Sequence, residues 1–227
     1  ELVVVAAYGR ILPDDILALP PMGCINVHSS LLPKYRGAAP INWAVIRGEK
    51  ETGVTIMYMA EELDAGDIIA QEKTHIDPEE TVENVHDRLA DLGGRLLVQT
   101  VAELAAGTAR RIPQDHSQAT LAPMLSRELS PIDWSRSGWD IHNQIRGLVP
   151  WPATSTDIFS AEPVKVFKST LLDQGTDKQP GTVVAAGKEG IDVACGDGRL
   201  LRILELQAPG GKRMSAASYL AGHPIHL

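Results

Sequence analysis

The chain opens on an unbroken apolar run, residues 2–7. Such a run predicts a strand covered on both faces, the kind found inside parallel sheets flanked by helices. A short helix is expected from Pro13-Asp14-Asp15, ending before Pro20-Pro21. Strands are expected at 23–28, 54–59 and 67–76, with a helix over 40–47 between the first two, opened by Pro40 and ended by Gly48. Thr81 then caps a long helix. Its apolar positions Val82, Val85, Leu89, Leu92, Leu96 and Leu97 keep the helical period, and it closes at Gly107. The pair Gly93-Gly94 either weakens that helix or permits close packing against it. This alternation of strand and helix predicts an α/β domain with a mostly parallel, Rossmann-like sheet.

Periodicity is lost from residue 108 to about 130, where Pro, Gln, Ser and Thr accumulate. Beyond it, Ser137 with Asp140 three residues later resembles a capping box opening a helix through Ile141, Ile145 and Leu148. Pro150-Trp151-Pro152 breaks that helix. Short strand-like pieces follow at 164–167, 181–185, 191–194 and 200–206, separated by Gly, Asp and Lys turns, which predicts a small β-barrel. The expected organisation is an α/β domain over 1–107, a linker over 108–126 and a small barrel over 127–227.

Composition narrows the class without choosing a function. With 227 residues, 44% of them hydrophobic and 22% charged, the chain reads as an ordinary globular protein. Its apolar runs fall far short of the roughly 20 residues that cross a membrane. A central strand seldom opens a protein and there is no initiator Met, so the sequence reads as entering a domain part-way, leaving open any organellar signal upstream. Cys24 and Cys195 have neither zinc nor disulfide spacing, which fits the cytoplasm. The net charge is −8, yet it is uneven. Residues 1–112 carry 10 Lys and Arg against 17 Asp and Glu, and residues 113–227 carry 11 against 12. Any nucleic-acid surface must therefore be local.

The segment 24–33, Cys-Ile-Asn-Val-His-Ser-Ser-Leu-Leu-Pro, is the most informative. In a strand, Asn26 and His28 share one face about 6.6 Å apart, while Ile25 and Val27 take the other. Open α/β sheets place ligands at the C-terminal ends of such strands. An amide donor beside an imidazole suits acyl transfer, where a carbonyl becomes a tetrahedral oxyanion: Asn donates to the developing charge and His moves or balances a proton. Strand 54–59 runs into the acidic cluster Glu61, Glu62, Asp64 and Asp67, and a carboxylate near the imidazole would orient it. Spacing alone does not say which acid. The bland alternative, in which Asn26 and His28 cap a strand end and the acids are solvated, stands beside it.

Residues 26–37, Asn-Val-His-Ser-Ser-Leu-Leu-Pro-Lys-Tyr-Arg-Gly, followed by Gly53-Val54-Thr55-Ile56 and Leu63-Asp64-Ala65-Gly66-Asp67, resemble the folate-dependent formyltransferases over residues 1 to about 107. The resemblance implies 10-formyltetrahydrofolate as formyl donor and no metal. It implies catalysis by Asn26, His28 and Asp64, the first two on the oxyanion and the third paired with His28. It further implies a folate pocket of Arg10, Ile11, Leu12, Met59, Ala60, Glu61, Glu62 and Leu63, largely through backbone, with Ser29, Leu31 and Pro33 beside it. Members of the family begin with further strands and helices.

Residues 132–137, 145–148 and 150–153 resemble the OB-like second domain of those members that formylate methionine on initiator tRNA. Members acting on glycinamide ribonucleotide lack a second domain, and Pro150-Trp151-Pro152 tilts the choice from a nucleotide-linked amino sugar towards tRNA. Candidate phosphate contacts are Lys34, Arg36, Arg110, Arg111, Lys165, Lys168, Lys212 and Arg213. Trp134, Trp139 and Trp151 are read first as core anchors, His75, His86 and His116 as surface residues, and His142, on the short helix, as no stronger a site candidate. The implied partners are folate and initiator methionyl-tRNA, met by a cytoplasmic monomer with no membrane contact. The rival of another class is an RNA-binding module with a vestigial catalytic half.

Overall fold

A computed structural model describes residues 1–9 and 12–225, grouped into two compact units. The first contains residues 1–44, 49–77 and 84–124. Its sheet runs β1 (Val3–Ala6), β2 (Cys24–His28), β3 (Glu51–Tyr58) and β4 (Ile68–His75), in that spatial order. Only β1 and β2 are parallel; β2 with β3 and β3 with β4 are antiparallel, so the mostly parallel sheet expected from the sequence is instead mixed. An apolar run reports burial, and burial is the same whichever way the neighbour points. β1 forms an edge of the sheet, and Val3 and Val4 are 38% and 43% exposed.

Helix α1 (Asp14–Leu17) is a single turn, α2 (Pro40–Ile46) follows the site loop, and α3 (Val82–Ala105) is the long amphipathic helix. Val85, Leu89, Leu92 and Leu96 are buried along α3, as the period requires. Gly93 resolves the ambiguity of its pair. A Cβ there would stand 3.2 Å from Val27 and 3.5 Å from Val54, so the missing side chain lets α3 settle on β2 and β3. Val27 therefore faces the helix, which turns Asn26 and His28 to the opposite side of the sheet.

The second unit contains residues 45–48, 78–83 and 125–227. Its strands are β5 (Thr154–Thr156), β6 (Val164–Gly175), β7 (Val183–Gly187), β8 (Gly190–Ala194), β9 (Arg199–Gln207) and β10 (Met214–Ser215). They pair antiparallel in the order β5-β6-β9-β8-β7, with β10 added to β9. Among the described residues no pairing joins β5 to β7, so the strands form an antiparallel sheet, and closure into the small OB-like barrel expected from the sequence is not seen. Helix α4 (Gly138–Gly147) begins as anticipated, with Ser137 Oγ accepting from the Asp140 N–H at 3.1 Å. A second capped helix, α5 (Ala216–Gly222), had no clear periodic signal. Ile141, Ile145, Val164, Val166, Ile191, Val193, Leu201, Ile203, Leu206 and Trp134 form the core under the sheet.

His142 is 2% exposed on the inner face of α4, with Nδ1 3.0 Å from Ser169 Oγ and Nε2 2.9 Å from the Pro78 carbonyl. Burial holds its pKa below the ordinary histidine range, against the pull of that carbonyl and of Glu79. Because the unfolded chain binds the proton more readily, stability is fully present above about pH 6.5 and is lost as pH falls through the depressed folded value. Denaturation followed by tryptophan fluorescence is expected to show stability declining from pH 7.5 to 5 by up to about 1.4 kcal/mol per pH unit. In His142→Gln that component of the slope is expected to disappear.

Candidate active site

The site is built on the exit of β2. Asn26 sits opposite Met57 and His28 opposite Thr55 in the antiparallel register with β3. Residues 29–36 then form a turn held from below. Thr55 Oγ donates to the Ser30 carbonyl at 2.6 Å and accepts from the Leu32 N–H at 3.1 Å, while the Gln71 amide reaches both Thr55 Oγ and the Leu32 carbonyl. Saturated in this way, the turn presents its own backbone inwards. His28 Nε2 lies 2.9 Å from the Tyr35 carbonyl, which makes Nε2 the donor and leaves Nδ1 as the free edge of the ring.

Asp64 arrives from the loop after β3 and points its Oδ2 at that edge, 3.6 Å from Nδ1. The separation is longer than a hydrogen bond, so Nδ1 stays available to a third group. His28 and Asp64 side chains are 7% and 9% exposed. The same carboxylate oxygen accepts the Gly37 N–H at 2.8 Å. Gly37 takes φ +120°, and a Cβ on it would lie 2.7 Å from the Ala122 carbonyl oxygen, so only glycine brings that amide to Asp64. Asp64 itself adopts φ +51°, a left-handed conformation in which Asp and Asn are enriched among non-glycine residues. Half-buried Asn26 has no hydrogen-bond partner for its carboxamide among the described residues.

Of the expected folate contacts, Ala60, Glu61, Glu62 and Leu63 form the exposed lip of the Asp64 loop, with Leu63 53% exposed. Met59, Leu12, Ser29, Leu31 and Pro33 are half-buried. Arg10 and Ile11 lie outside the described residues. A separate cleft of about 470 Å³, lined by Ile68, Gln71, Leu96, Gln99, Glu103 and Arg110 among others, contains none of Asn26, His28 and Asp64. Among the described residues no group of three His, Cys, Asp or Glu side chains is arranged to hold a metal, and no helix is long and apolar enough to cross a membrane.

The basic candidates divide. Arg36 differs from a phosphate contact: it is 5% exposed, donates to Gln114 Oε1 at 2.7 and 3.2 Å, and approaches Glu62 at 3.4 Å. Arg111 is bound to Asp67 at 2.6 Å and lies 4.6 Å over the Tyr58 ring. Lys34 and Arg110 are exposed in the first unit. In the second, Lys165 and Lys168 project from β6 opposite Gln207 and Glu205, Arg213 holds Glu205 at 2.7 Å above Phe167, and Lys212 adjoins it. Trp134 is a core anchor, whereas Trp139 and Trp151 are 39% and 50% exposed.

Gln114, Tyr35 and Thr120 escaped the sequence reading. The stretch read as linker is ordered against the first unit: Ile112 exchanges backbone bonds with Ile68, Thr120 Oγ accepts from the Tyr35 N–H, and Ala122 bonds Arg36 and Ala39. Nothing periodic marks such a strap, because its contacts are made singly by backbone and polar side chains.

Two family descriptions between them span most of the chain, and the chain belongs to the formyl transferase family. Residues 1–101 match the family description "Formyl transferase" and residues 124–224 match "Formyl transferase, C-terminal domain". The chain is 50% identical over 227 residues to methionyl-tRNA formyltransferase of Trichlorobacter lovleyi, covering 100% of this chain and 71% of that protein. With the enzyme of the same name from Moorella thermoacetica it shares 52% over 225 residues, 99% of this chain and 72% of the relative. Among solved structures, HypX from Aquifex aeolicus in complex with tetrahydrofolic acid superposes with a TM-score of 0.74 at 18% identity, covering 98% of this chain and 38% of that one. WlaRD, a sugar 3N-formyltransferase, gives 0.66 at 20%, covering 79% and 64%. At those identities the two share the fold alone.

Proposed function

We propose that the chain transfers a formyl group from 10-formyltetrahydrofolate to the α-amine of methionine on initiator tRNA, supplying translation initiation. The observation that carries the chemistry is the Asn26 carboxamide, without a hydrogen-bond partner among the described residues, two positions along β2 from the His28 that meets Asp64. The donor's carbonyl oxygen becomes negative when the methionine nitrogen attacks the formyl carbon. Asn26 donates to that oxygen, and the Nδ1 edge of His28 faces the same place, since Nε2 is already spent on Tyr35. Asp64 balances the ring and passes on the proton leaving the amine, which ends on the folate nitrogen as its bond to the formyl carbon breaks. Residues 59–64 present backbone to the folate head, consistent with the half-buried and exposed side chains there.

Identity of about half over the whole chain with two tRNA enzymes supports tRNA over an amino sugar as acceptor. In this reading residues 1–107 form the catalytic domain, 108–126 the connection and 127–227 an OB-like RNA-binding domain, in a cytoplasmic monomer. Lys165, Lys168, Lys212 and Arg213 meet phosphates. Formate-transfer assays on the full-length protein are expected to show turnover with charged initiator tRNA and none with a nucleotide-linked amino sugar; the reverse preference refutes the acceptor. Lys168→Ala with Lys212→Ala is expected to raise KM for tRNA and to flatten the salt dependence of binding by about one to two contacts, with little change in kcat.

A further inference from the structure

The strap from 112 to 122 crosses the first unit and enters the site at one side chain. Gln114 is 6% exposed, and its carboxamide is saturated. Nε2 donates to the carbonyls of Asp64 at 2.8 Å and Gly66 at 2.7 Å, using both its hydrogens. Oε1 accepts twice from the Arg36 guanidinium. Arg36 immediately precedes Gly37, whose N–H holds the Asp64 carboxylate. Gln114 thus grips Asp64 from two sides, directly at its carbonyl and, through Arg36, at the residue that anchors its carboxylate. Asp64 needs such a grip, because its left-handed backbone is one that side-chain-bearing residues seldom hold unaided.

We propose that Gln114 is a positioning residue for formyl transfer, fixing the Asp64 carboxylate against His28 Nδ1 by joining the Asp64 loop to the Arg36-Gly37 turn. The inference rests on the catalytic reading of Asp64. It makes the strap part of the active site, so that the segment leading to the second unit also sets the geometry of the chemistry.

Gln114→Glu keeps the length and the Arg36 contact but turns an oxygen towards two carbonyl oxygens. In the full-length protein it is expected to lower kcat by about 10²-fold, the scale of a displacement near 1 Å, with KM for folate and tRNA nearly unchanged. On an Asp64→Ala background the same substitution is expected to change kcat by less than about twofold, because the group it positions is gone. A crystal structure of Gln114→Glu is expected to show the carboxylate displaced from its 3.6 Å contact with His28. Equal losses in both backgrounds, or an undisplaced Asp64 with unchanged kcat, overturn the proposal. Gln114→Met replaces the variant if the first does not fold. Absence of turnover in the unsubstituted protein refutes the catalytic reading separately, and the crystallographic distance then decides the role of Gln114 alone.

Discussion

Asn26→Ala is expected to cut the turnover of formyl transfer by about 10²–10³-fold, the usual cost of removing one oxyanion donor. The effect should fall on kcat rather than KM, because the carboxamide meets the negative oxygen only as the tetrahedral state forms. Folding should be unaffected. The Asn26 amide has no hydrogen-bond partner among the described residues, so its removal orphans none of them. Single-turnover kinetics with thermal unfolding of the same preparation separates the two. Near-normal turnover would remove Asn26 from the chemistry.

His28→Ala is expected to lose still more, about 10²–10⁴-fold, since the ring serves both the oxyanion and the proton. Here stability should fall as well. The 2.9 Å contact with the Tyr35 carbonyl and the packing of the ring against the buried Asp64 carboxylate are lost, at a cost of about 1–3 kcal/mol. Asp64→Asn, nearly isosteric, separates the two contributions: it keeps an oxygen for the Gly37 N–H while removing the charge that balances His28. Loss of turnover without loss of thermal midpoint in Asp64→Asn places the carboxylate in the reaction.

Much of this was legible in the residues. Period-two alternation put Asn26 and His28 on one face, and the structure adds why that face is the open one: Gly93 draws α3 onto Val27 behind them. Ser137 announced α4 by its capping chemistry, which is local and survives any tertiary context. Strand direction was not legible, because the apolar runs of β2 and β3 record only burial. Arg36 read as a surface cation since charge is all that sequence displays; its enclosure depends on Gln114, 78 residues away. His142 was hidden for the same reason, its partners Pro78 and Ser169 lying 64 and 27 residues distant. Long-range polar pairing leaves no period to read.

The crystal structure of the full-length protein with a formylated folate that cannot transfer its group is the most direct measurement. The formyl oxygen is expected about 3 Å from the Asn26 carboxamide, on the Nδ1 side of His28, with Asp64 still at the ring. A folate seated elsewhere, such as in the cleft lined by Gln71, Gln99 and Arg110, with its formyl group facing none of the three, would contradict the site.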